Sequence, residues 1–64
     1  MTFCKVLKSA TVGKDTVTAY ENTDKYGAVP YYEIVVSRDG IGYYVEKTAK
    51  TTWRKKFKEM TAEQ

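Results

Sequence analysis

The chain has 64 residues, 14% of them aromatic, with a single cysteine and no histidine. That length leaves room for one core and one domain, and Cys4 alone excludes both an intrachain disulfide and a His/Cys zinc site. The net charge of +3 is unevenly placed: residues 1–46 carry five basic and six acidic side chains (net −1), and residues 47–64 carry six and two (net +4), so an electrostatic partner is expected at the C-terminal segment.

In chain order, Phe3 to Val12 alternates loosely, with Val6, Leu7 and Val12 as its aliphatic positions. This predicts a strand over 3–12, within which Cys4 is expected as a small, half-buried apolar residue. Gly13-Lys14-Asp15 supplies turn chemistry, and the β-branched and aromatic run from Thr16 to Tyr20 predicts a second strand over 16–22. Asn22, Asp24, Gly27 and Pro30 mark a loop. Tyr31-Tyr32-Glu33-Ile34-Val35-Val36-Ser37 is the clearest strand, predicted over 31–38, and a fourth is predicted over 41–47.

Between these last two, Asp39-Gly40 predicts a two-residue hairpin turn of type I′, which needs residues tolerant of positive φ. Such a turn sets a register in which Val36 faces Tyr43, Ile34 faces Val45 and Tyr32 faces Lys47. Ile34, Val36, Ile41, Tyr43 and Val45 then form the core face. On the other face Val35 meets Tyr44 and Glu33 meets Glu46, two like charges that require water.

After Lys47 the period changes. Ala49, Trp53, Phe57 and Met60 recur at helical spacing, predicting a helix over 49–62 with Thr48 as its cap. At about 1.5 Å per residue it would run roughly 21 Å. Too short to be stable alone in water, it is expected to lay its apolar stripe on the sheet. The fold class read from the sequence is α+β: a four-stranded antiparallel sheet of two hairpins with one C-terminal helix on one face, ββββα.

Residue chemistry argues against catalysis. Without histidine there is no imidazole acid–base step and no histidine triad. Cys4 has no activating base beside it in sequence, and Glu33 with Glu46 would form a carboxylate pair on a flat sheet, not in a cleft. The scattered glycines form no phosphate-cradling pattern, and no acidic loop is dense enough for a cation. The expectation is a non-enzyme with no cofactor and no metal.

Binding remains, and two surfaces are candidates. The outer sheet face would present Tyr31, Glu33, Val35, Tyr44 and Glu46, with Tyr20 or Tyr26 nearby. This mixture of tyrosine, aliphatic and acid fits a protein interface better than a phosphate backbone. The helix would present Arg54, Lys55 and Lys58 outward, with Lys50 and Lys56 on its flanks. These fit sequence-nonspecific contact with nucleic acid, or a solvated face that keeps a small protein soluble. An open sheet also leaves two strand edges, to which a partner or a second copy could add a strand.

The leading expectation is therefore a non-catalytic protein that docks on, and modulates or inhibits, another protein; nucleic-acid binding is the alternative. In general character, a short chain without a catalytic set, it is similar to the small accessory proteins of bacteriophages and mobile elements. That likeness of type implies occlusion of a host protein. The segment from Met1 to Val12 has no long apolar run and no small-residue cleavage site, and no stretch suffices to cross a bilayer. With one unpaired cysteine, the expected setting is the cytoplasm.

Overall fold

A computed structural model describes residues 2–24 and 29–62. Four strands, β1 (Thr2–Val12), β2 (Asp15–Asp24), β3 (Tyr31–Arg38) and β4 (Ile41–Thr48), precede one helix, α1 (Trp53–Met60). The strands form an antiparallel meander in the order β1-β2-β3-β4, and the helix packs on β2 and β3. The α+β class and the sheet-plus-helix arrangement agree with the sequence reading. Residues 25–28, which include Tyr26 and Gly27 of the expected loop, lie outside the described residues.

The core forms where alternation on the inner strands meets the helix. Val17 and Ala19 of β2 pair with Val36 and Ile34 of β3. All four are buried, together with Tyr32, Trp53 and Phe57. Leu7, Ala10, Val12 and Met60 pack around this cluster. Tyr32 keeps its hydroxyl satisfied by donating to Glu21 Oε2 at 2.7 Å. That bond, then burial, raises the Tyr32 pKa above its ordinary value.

The β3–β4 turn forms at Asp39 and Gly40, both at positive φ (55° and 79°), as the Asp-Gly signal requires. The expected register holds for Arg38 with Ile41 and Ser37 with Gly42, and then fails. Tyr43 is an extra residue in β4, so Val36 faces Tyr44, Val35 faces Val45, Ile34 faces Glu46, Glu33 faces Lys47 and Tyr32 faces Thr48. One inserted residue turns every later side chain to the opposite face. Val45, expected in the core, accordingly lies exposed on the open face, Tyr43 is exposed at the bulge itself, and Ile41, still in its expected register before the bulge, is exposed at the turn end. The physical reason lies in the helix. It covers β2 and β3, so β4 has no apolar lid to enforce an inward apolar set.

Two further expectations are corrected. The helix begins at Trp53, not Ala49, because residues 49–52 close a turn in which the amides of Thr52 and Trp53 both donate to the Ala49 carbonyl at 3.1 Å. The Thr52 hydroxyl is engaged in the same turn, accepting from the Ala49 amide at 3.0 Å. Ala49 is exposed and Thr48 belongs to β4, so neither serves as stripe or cap. Cys4 is exposed, not half-buried.

Candidate functional site

β4 is an edge strand with large apolar side chains in water on both of its faces. Ile41 is 70% exposed, Tyr43 59%, Val45 56% and Tyr44 46%. Proteins usually blunt such an edge with charge, proline or a bulge. Here the bulge lies at Tyr43 and the only lysine, Lys47, comes near the strand's end.

The turn end of this edge is held in place from the core side. Arg38 donates to both carboxylate oxygens of Asp15, at 2.8 and 3.2 Å, and its guanidinium lies 6.0 Å from the centre of the Tyr43 ring. The Arg38 hydrogen bonds hold the Asp15 carboxyl below its ordinary pKa, while desolvation, then Asp15, raises that of the Tyr43 hydroxyl. At the other end, Glu46 accepts an ion pair from Lys56 Nζ at 3.1 Å, which raises the lysine's pKa. A carboxylate expected to repel Glu33 on the open face is in fact the bridge between β4 and the helix.

The five residues assigned to the sheet interface therefore divide. Tyr31, Glu33 and Val35 remain on the open face, away from the helix, whereas Tyr44 and Glu46 turn to the helix side. The open face is more polar than the alternation implied. Ser9 and Thr18 hydroxyls lie 3.3 Å apart, and buried Asn22 donates to Glu33 Oε1 at 2.6 Å. Its large apolar side chains include Tyr31 and the cross-strand pairs Val6–Tyr20 and Val35–Val45. Ile41, Tyr43 and Val45 were missed as surface residues because strict alternation assigns them to the core. For Tyr43 and Val45, a bulge directly after Gly42 would have been the only warning. That glycine gives little room for a side chain, since a Cβ there would lie 3.2 Å from Val35 Cγ1.

The basic residues do not form one continuous face. Lys50 is exposed in the turn before the helix, and Lys55 stands beside Glu46 and Glu59. Lys56, expected on a flank, is half-buried between those two carboxylates. Arg54 and Lys58 lie on the opposite side, toward β1, where they join Lys8. Among the described residues, no group of three or more Cys, Asp or Glu side chains gathers where a metal ion could be held, and no helix is long and apolar enough to cross a membrane. No protein-family model matches the chain, and comparison with curated proteins and with solved structures gives no significant match.

Proposed function

We propose that this chain is a small, non-catalytic binding protein that docks on another protein by strand addition at β4, and thereby modulates or inhibits it. The observation that carries this reading is the exposed apolar edge formed by Ile41, Tyr43, Tyr44 and Val45. Backbone groups along such an edge offer affinity, and side chains alternating across it offer selectivity. Tyrosines are favoured anchors because they cover much area at small entropic cost. Val35 beside Val45 extends the surface onto the open face, with Tyr31 and Glu33 farther along β3. A second copy of the chain could use the same edge. An exposed, unpaired Cys4 fits a reducing, intracellular setting.

The alternative, nucleic acid along Lys50, Arg54, Lys55 and Lys58, has less support. Glu46 and Glu59 stand beside Lys55 and Lys56, and would repel a phosphate backbone there.

The deciding experiment compares the wild type with Val45→Lys and Tyr43→Lys, both at exposed positions where the fold should persist. Each variant is expected to lose the partner captured by the wild type and to sediment as a monomer wherever the wild type self-associates. If both variants fold and retain the same partner in the same amount, β4 is not the interface.

A further inference from the structure

On the helix side of the sheet, away from β4, lies a groove of about 550 Å³ between α1 and β1. It exists because an eight-residue helix, about 12 Å long, covers only the two central strands. On the β4 side the gap is bridged by Glu46 and Lys56. On the β1 side no comparable ion pair closes it among the described residues, and the small Ala10 leaves a depression beside the buried Trp53 and Phe57. A bulge at Leu7 in β1 brings Lys8 to the same side.

Three cations rim this apolar floor. Lys8 Nζ lies 5.4 Å from the centre of the Phe57 ring, and the Arg54 guanidinium lies 4.8 Å from that of Trp53. Lys58 completes the rim, and among the described residues no carboxylate lines the groove. We infer that this groove binds an acidic peptide segment of another protein, with one apolar side chain seated over half-buried Ala10 against the aliphatic stems of Lys8, Arg54 and Lys58, and flanking carboxylates on their cationic ends. Charge complementarity sets the sign of the ligand, and the apolar floor demands an anchor that a bare anion lacks. Stacked nucleobases fit poorly. Trp53 and Phe57 are only 7% and 3% exposed, with cations over their rings, so they offer no open platform for stacking. The groove lies on the β1 side of the helix, so its occupancy is independent of strand addition at β4.

Trp53 is the only tryptophan, and its emission reports occupancy directly. The probe is a blocked peptide of glutamates flanking a central Leu-Phe pair. Its comparisons are the same peptide with glutamine for glutamate, the same peptide with serine for Leu-Phe, and a deoxythymidine oligonucleotide of similar length. The glutamate peptide is expected to bind most tightly and to weaken as salt rises. Arg54→Glu combined with Lys58→Glu should weaken it by about tenfold or more. Lys8→Gln should weaken it less, and Lys55→Glu, on the other side of the helix, should leave it unchanged. Circular dichroism checks that each variant is folded. The inference is overturned if no peptide binds, if the glutamine peptide binds equally well, if the Arg54/Lys58 reversal has no effect, or if the oligonucleotide binds more tightly than the glutamate peptide.

Discussion

Asp15 and Arg38 show how a single pair ties distant parts of this chain together. Their side chains link the start of β2 to the end of β3 beside the β4 turn. The carboxyl is held below its ordinary pKa chiefly by the Arg38 hydrogen bonds, so the folded state releases that proton more readily than the unfolded chain. The pair therefore stabilises the fold above the ordinary carboxylate range, and its contribution is lost as pH falls through the lower, folded value. In Arg38→Gln the main cause of the depression is gone, leaving the smaller contribution of the Tyr43 hydroxyl. Urea midpoints measured from about pH 5 down to about pH 2 should then fall less steeply in the variant than in the wild type. Parallel curves would mean the pair is not formed in solution.

At the scale of elements, the bulge at Tyr43 makes an opposite-sign prediction from the simple hairpin. In an unbulged register Glu46 would face Glu33, and Glu46→Lys would relieve repulsion and raise the melting temperature. In the observed register Glu46 faces Ile34 and pairs with Lys56. The same substitution then places two ammonium groups together and removes the bridge from β4 to the helix. Thermal melts of Glu46→Lys should show a lower midpoint than the wild type, and a higher one would restore the unbulged pairing. The helix itself depends on the sheet. Eight residues cannot sustain a helix in water, so α1 persists because Trp53 and Phe57 are buried against β2 and β3.

For the whole molecule, the small core is the governing quantity. Extents of 40 × 25 × 15 Å describe a thin slab, one sheet and one short helix deep. Such a chain buries only about 60% of what its unfolded form exposes, and its core contributes about 3–5 kcal/mol net. Phe57→Ala removes a ring from the centre of that core at a cost of about 3–5 kcal/mol, comparable to the whole. The variant is expected to be largely unfolded by circular dichroism at room temperature. A cooperative transition at the wild-type urea midpoint would show that the helix is not what closes the core. The same thinness leaves apolar surface uncovered along β4 and in the α1–β1 groove.

The elements and their order are legible from local pattern alone. Alternation on β3, the Asp39-Gly40 turn and the Trp53–Phe57 spacing are local signals, and each acts within a few residues of where it is read. The sequence also excluded histidine chemistry and an intrachain disulfide, since residues that are absent cannot serve. Which way β4 faces, where the helix starts and how the cations divide around it follow from long-range packing. Those depend on how much sheet an eight-residue helix covers. Beyond its lid, alternation lost its physical cause: a one-residue bulge at Tyr43 turned Val45 to the open face, while Ile41, in its expected register before the bulge, stands exposed at the turn end. A second bulge, at Leu7, set Lys8 beside Arg54 and Lys58. Their sequence separation of about fifty residues hides that cluster from any local pattern.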